Sequence, residues 1–190
     1  MLTWEQIRQW RKEQRAALIE RRLAISGDDR VCWSQQIATR ILREFAMRRP
    51  TLLGFYWPFK GEFDPRGVAE AMHGQGIGLA LPVVVQTKAP LVFRAWQPGA
   101  PLVSGVWGIP VPADGKAVLP DTLLVPLVGC DEHQFRLGYG GGFYDRTMAA
   151  MPRRPLTIGV GFSVASIETI HPQTHDIPMD IVITEAMRTP

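Results

Sequence analysis

The hydrophobic period of this chain changes at Thr51, and no other feature of the sequence restricts the fold as much. Before that point apolar residues recur at helical spacing. Ile7, Trp10, Ala17, Leu18 and Ile25 follow a Thr3/Gln6 capping box and run to Ser26-Gly27, which predicts one long amphipathic helix. Asp28 or Asp29 is expected to cap a second helix, in which Trp33, Ile37, Ile41, Leu42 and Phe45 share a face that ends near Pro50. After Thr51 come the short runs TLLGFY, IGLALPVVV, LVFRAW, TLLVPLVG, LTIGVGF and DIVIT, rich in aliphatic and β-branched residues, as buried strands are. Helical patterns at Asp64 to His73 and around Gly142 to Met151 separate the first strand from the second and the fourth from the fifth. This alternation predicts an α/β fold: a mostly parallel sheet flanked by helices on both faces, with two N-terminal helices before the first strand. The proline-rich stretch Pro98 to Pro112 reads as surface loop, and no internal repeat is visible.

A length of 190 residues suits a single domain spanning 1–190. No apolar run reaches the roughly 18 residues of a bilayer span, and the start MLTWEQIRQWRKEQR has no signal-peptide core, so a cytoplasmic protein without a membrane partner is expected. Cys32 and Cys130 are too few for a disulfide framework or a cysteine metal cluster. Charge is unevenly spread: residues 1–50 carry eleven Lys or Arg against six Asp or Glu, whereas the remainder carries ten against twelve. Such a basic front attracts nucleic acid, an acidic surface or a compact polyanion, and composition does not choose among them.

In open α/β sheets ligands collect beyond the carboxyl ends of strands, which singles out the loops Trp57 to Glu62, Cys130 to Gly142 and His171 to Asp180. The second contains Arg136-Leu137-Gly138-Tyr139-Gly140-Gly141-Gly142-Phe143-Tyr144-Asp145-Arg146 and runs into a helix. Four glycines in five positions let backbone N–H groups approach a ligand, and the following helix start adds partial positive charge. Neither the Walker pattern nor the dinucleotide fingerprint is present, and glycines alone are equally a loop that merely turns the chain. Their company is more telling. Arg136 and Arg146 bring guanidinium forks suited to phosphate, and Asp145 a hard carboxylate of the kind Mg²⁺ accepts.

With these residues the chain resembles the 5-formyltetrahydrofolate cyclo-ligases, whose signature is R-L-G-x-G-x-G-[FY]-Y-D-R. The likeness extends to Arg11, Arg15 and Arg22 to Ser26 at the front, Phe55-Tyr56-Trp57-Pro58 with Glu62, Leu81-Pro82-Val83-Val84, Trp107-Gly108-Ile109-Pro110, and His175-Asp176-Ile177-Pro178-Met179-Asp180. It departs at Val83 and Gly141, where many members carry a cation. The resemblance implies ATP-dependent cyclisation of 5-formyltetrahydrofolate to 5,10-methenyltetrahydrofolate, through a phosphorylated formyl oxygen, by a monomer whose partners are reduced folate and ATP. It implies catalytic roles for Arg136, Asp145 and Arg146. ATP is expected on Arg11, Lys12, Arg15, Arg136, Leu137, Gly138, Tyr139, Gly140, Gly141, Gly142, Phe143 and Tyr144. Folate is expected on Trp57, Glu62 and Tyr139 to Phe143 (with Gly140, Gly141 and Gly142), and Mg²⁺ on Asp145 and Asp180.

Patterns without the resemblance favour a solvated basic face for Arg8, Arg11, Arg15 and Arg22 and allow core packing for Tyr56, while Phe143 and Tyr144 fit a packing role where the helix meets the sheet as well as the site. The positive residues other than those assigned to ATP are expected to face solvent or to give weak attraction for a polyglutamate tail. Pro172 breaks any helix between His171 and His175, which removes a zinc-protease motif, and no serine stands in a nucleophile elbow. Two other classes compete. A nucleic-acid module would interleave tryptophans with basic residues, which this chain does not do. A relative on the same scaffold acting on a sugar phosphate or a CoA ester would ignore reduced folate.

Overall fold

Thr3 takes extended backbone and accepts a hydrogen bond from Gln6 N–H while the Gln6 side chain accepts from Thr3, so the expected capping box starts helix α1 (Trp4–Leu23). The computed structural model describes residues 2–186. Helix α2 (Gly27–Arg48) begins earlier than expected: Ser26, not Asp28 or Asp29, is its cap, accepting from Asp29 N–H. The short serine side chain reaches that amide from extended backbone, and the two aspartates instead occupy the first turn, where their charge complements the helix dipole.

All six expected strands are present, shortened at their ends: β1 (Leu52–Gly54), β2 (Gly78–Val83), β3 (Val92–Trp96), β7 (Thr122–Pro126), β10 (Leu156–Val160) and β11 (Ile181–Ile183). With β6 (Ala117–Val118) they form one seven-stranded sheet in the order β11-β10-β7-β1-β2-β3-β6. Every neighbouring pair from β11 to β2 is parallel, and β3 turns antiparallel on β2. Gly54 sits in the central strand because a Cβ there would lie 2.5 Å from the Leu123 side chain and 2.8 Å from Phe93.

Helix α2 and α3 (Arg66–His73) cover one face, where Ile37, Ile41 and Phe45 meet Val68, Met72, Leu79, Leu81 and Leu124. Helix α4 (Phe143–Ala150) covers the other, with Met148 against Leu123, Val125 and Met179. Apolar side chains are thus removed from water on both sides of the parallel strands, as the continuous apolar runs require. Helix α1 covers neither face. Its Leu18 packs with Val128, Leu137 and Ile170, so it lies over the hairpin of β8 (Gly129–Cys130) and β9 (Arg136–Leu137).

The stretch Pro98 to Pro112 is not wholly loop: β4 (Leu102–Ser104) and β5 (Pro110–Pro112) pair antiparallel around a short 3₁₀ turn at Val106–Gly108. No helix among the described residues is long and apolar enough to cross a membrane.

Candidate active site

The chain crosses from β1 to β2 on one side and returns to β7 on the other, so the loops after β1 and β7 diverge at a topological switch point. Those loops hold Trp57 to Glu62 and, beyond the β8-β9 hairpin, the glycines. Tyr139, Gly140 and Gly141 are exposed, so the bend faces solvent instead of packing into the interior. Gly140 (φ 93°) and Gly142 (φ 63°) occupy left-handed backbone, and Gly142 stands at the N-cap of α4. A Cβ at Gly141 would strike the Phe143 ring at 2.6 Å, which accounts locally for the glycine in place of the cation that the resemblance leads one to expect. Val83, the other such position, is buried at the end of β2.

Two guanidinium groups close on this bend. Arg15 Nε donates to Gly138 O at 2.7 Å, and its carbon Cζ would lie 3.4 Å from a Cβ at Gly140. Its Nη1 and Nη2 make no hydrogen bond, and the side chain no ion pair, among the described residues. Burial, then the neighbouring charge of Arg11, lowers the Arg15 pKa, with Asp176 opposing. Arg146 donates from Nη2 to Gly141 O and lies over the Phe143 ring, while its Nε is buried with no partner. Both are cations held at the glycines without a carboxylate of their own among the described residues.

The other arginines are engaged. Arg11 is buried, donates to Ile170 O and His171 O, and pairs with Asp176 at 2.5 Å, so most of its donors are taken by the protein. Arg136 is buried between Asp145 (2.8 Å) and Ile177 O (3.2 Å). Lys12 is exposed on α1. Arg22, expected to face solvent with the remaining cations, is instead buried: it donates to Lys60 O, Leu127 O and the Tyr139 hydroxyl. Helical spacing placed it on one stripe with Arg11 and Arg15, but the depth of that stripe depends on what α1 packs against, which spacing does not reveal.

Glu62 is only 9% exposed and accepts hydrogen bonds from Phe59 N–H (2.9 Å) and the Tyr139 hydroxyl (2.8 Å). Burial raises its pKa, and these two bonds and the Arg22 charge pull it back. Arg22 stands 4.0 Å away, the outer limit of an ion pair, so desolvation prevails over attraction. Burial likewise raises the Tyr139 and Tyr144 hydroxyls, with Glu62 adding to each. Trp57 is half-buried, packed edge-on to Trp96 with the Arg66 guanidinium 4.8 Å over its ring. Tyr56 is core, its hydroxyl donating to Phe63 O.

The two carboxylates expected as Mg²⁺ ligands are each engaged by groups of the protein. Asp145 accepts Arg136 on Oδ2 and Ile177 N–H on Oδ1, which ties α4 to the His171–Asp180 loop. Asp180 lies at the amino ends of β10 and β11, accepting from Thr157 N–H and Oγ1 and pairing with Arg154. That is the opposite end of the sheet from the glycine loop, and Asp180 caps a strand start there. No group of three or more His, Cys, Asp or Glu side chains able to hold a metal occurs among the described residues.

His171 and His175 sit edge-on to Trp10 and Trp4, respectively, and help to fasten α1 to the loop they belong to. Trp107 carries no role in the sequence reading, yet it is 63% exposed, takes left-handed backbone (φ 58°) and meets Phe143 edge-on at 6.0 Å. The Trp107-Gly108-Ile109-Pro110 turn was the available signal. An exposed indole on unfavourable backbone beside the glycine loop is a surface for a flat ligand.

Comparison with known proteins converges on one group. A family model described as the 5-formyltetrahydrofolate cyclo-ligase family matches residues 7–185. The chain is 31% identical over 172 residues to the 5-formyltetrahydrofolate cyclo-ligase of Escherichia coli (strain K12), covering 87% of this chain and 94% of that one. For the enzyme of the same name from Haemophilus influenzae the figures are 29% over 157 residues, with 78% and 84% covered. Among solved structures it resembles the 5,10-methenyltetrahydrofolate synthetase of Aquifex aeolicus, with a TM-score of 0.79, 27% identity and coverage of 92% of this chain and 89% of that one. The synthetase of Mycoplasma pneumoniae shares the fold at a TM-score of 0.77 and 20% identity, with 93% and 99% covered.

Proposed function

Because the chain belongs to the 5-formyltetrahydrofolate cyclo-ligase family, we propose that it couples ATP cleavage to closure of the N5-formyl group of 5-formyltetrahydrofolate onto N10. The products are 5,10-methenyltetrahydrofolate, ADP and phosphate. An amide-like formyl oxygen leaves poorly. In the proposed sequence that oxygen attacks the γ-phosphorus and the bond to ADP breaks. N10 then attacks the formyl carbon, the carbon–oxygen bond breaks, phosphate departs with the former formyl oxygen, and N10 loses its proton.

The observation that carries this reading is the pair Arg15 and Arg146, two cations without carboxylate partners, both donating to carbonyls of an exposed glycine bend. Phosphoryl transfer asks for positioning and charge neutralisation more than covalent help, and the glycine amides, the α4 start and these two forks supply both. Arg136 and Asp145 act by fixing the bend and α4 in place. Glu62 and Trp57 on the facing loop, with the indole of Trp107 opposite Phe143, offer an acceptor and flat walls to a pterin ring. ATP enters as its Mg²⁺ complex, with the metal belonging to the nucleotide, since Asp145 and Asp180 do not form a site for it.

The test is purified protein with MgATP and 5-formyltetrahydrofolate, followed by the near-ultraviolet band of the methenyl product. A band that requires ATP is expected. Its absence beside an active control enzyme removes the proposal. With ¹⁸O in the formyl group, the label is expected in the released phosphate; label left in water or folate would remove the phosphorylated intermediate alone.

A further inference from the structure

Tyr139 occupies an unusual place: it is the single side-chain-bearing residue between Leu137 and Phe143, and its phenol reaches out of the glycine bend to the facing loop. The hydroxyl accepts from Arg22 Nη2 (2.7 Å) and donates to Glu62 Oε1 (2.8 Å), while the ring packs edge-on against Phe59. Tyr139 is 40% exposed and Glu62 is 9% exposed, so the phenol is the outermost member of the network and covers the carboxylate. The backbone on both sides of Tyr139 is under one guanidinium. Arg15 binds Gly138 O before it and lies against Gly140 after it, with Nη1 and Nη2 unspent among the described residues.

We propose that Tyr139 couples the two substrates: its hydroxyl occupies Glu62 while the bend is empty, and phosphate seated on the bend withdraws it, opening Glu62 to reduced folate. The inference rests on the preceding reading of the bend as a triphosphate seat and of Glu62 as a folate contact. Phosphate oxygens compete with Gly138 O for Arg15 and draw the Gly140 and Gly141 amides toward themselves. Both changes act on the residues adjoining Tyr139, and left-handed Gly140 is the pivot without a Cβ to hinder it. Glu62 keeps its bond from Phe59 N–H throughout, so the oxygen released is the one Tyr139 held. Nucleotide therefore tightens folate, and by linkage folate tightens nucleotide by the same factor.

The experiment measures the dissociation constant of 5-formyltetrahydrofolate by calorimetry, with and without a magnesium complex of an imido-bridged, non-hydrolysable ATP analogue. In the wild type the analogue is expected to tighten folate about fivefold, the scale of one hydrogen bond gained or lost. In Tyr139→Phe, which keeps the ring on Phe59, folate is expected to bind about fivefold tighter without nucleotide, and the analogue to add nothing. A wild type lacking the effect, or a Tyr139→Phe protein that retains it, overturns the coupling. The reverse titration, analogue with and without folate, is expected to show the same tightening in the wild type and none in Tyr139→Phe; tightening that persists in the variant also overturns the coupling. Glu62→Gln separates the underlying reading. Weaker folate binding in that variant upholds Glu62 as a contact, whereas unchanged binding removes that contact and the coupling with it. Failure of the wild type to bind either ligand overturns the functional reading itself.

Discussion

Arg11 and Arg15 stand one turn apart on α1, and the family resemblance implies a phosphate role for both. Their surroundings differ. Arg11 is paired with Asp176 and with the carbonyls of Ile170 and His171, so its charge is neutralised within the protein. Arg15 donates to Gly138 O and forms no ion pair among the described residues, and desolvation together with Arg11 works against its charge, opposed by Asp176. The same contrast recurs at the far end of the bend, where Arg136 is matched by Asp145 and Arg146 by no carboxylate among the described residues. A buried cation with its anion is framework; a half-buried cation without one keeps an attraction in reserve for a ligand. Arginines alone do not mark this site, and the missing carboxylates do.

The sharpest way to break this division is stability. Replacing Arg11 with Met strands the Asp176 carboxylate, whose side chain is 10% exposed, and loss of one member of a buried pair costs about 3–5 kcal/mol. For a chain of this size that lowers Tm by roughly 10 °C or more. Arg15→Met strands no charge and is expected to shift stability by under about 1 kcal/mol. Thermal melts of the two variants check this directly. Equal losses would mean that Arg15 is framework too.

Activity inverts the order. Arg146→Ala removes a guanidinium whose Nε satisfies nothing in the empty protein, so folding is expected to change little. Yet it deletes one charge-assisted contact to the triphosphate, worth about 1.5–3 kcal/mol, or roughly 10- to 100-fold in kcat/KM for ATP. Steady-state kinetics with varied ATP at saturating folate reads this out. Wild-type kinetics in both Arg146→Ala and Arg15→Met would detach the glycine bend from ATP.

Much of the fold was legible in the sequence, because long apolar runs alternating with helical patterns leave few alternatives to a covered parallel sheet. The five strands not foreseen, β4, β5, β6, β8 and β9, are two or three residues long, too short for an alternating apolar period to show, and only pairing with a neighbouring strand defines them. The glycine bend was legible through its composition. Arg22 was not, because helical spacing gives the direction of a side chain and not the depth of what it meets, here Leu127 O and Lys60 O. Asp145 and Asp180 look alike in the sequence, and only the fold shows that one ties α4 to Ile177 while the other caps the start of β10.

Glu62 beside Arg22 tests the boundary between the two kinds of arginine, and its effect is the smallest. The pair is separated by 4.0 Å, and burial raises the carboxyl above its ordinary 4.5 despite the bonds from Tyr139 and Phe59. Below that ordinary value Glu62 is protonated whether the chain is folded or not, and contributes no pH dependence. As pH rises toward the raised folded value, the unfolded chain releases a proton that the native state keeps, so stability falls with pH. Glu62→Gln cannot titrate. Its stability relative to wild type is therefore expected to improve between about pH 4 and about pH 7, compared as urea midpoints at equal slope. A relative stability that stays flat would mean that Arg22 neutralises Glu62 as Asp176 neutralises Arg11, placing it wholly with the framework; one that worsens with pH would mean that the pairing outweighs the burial.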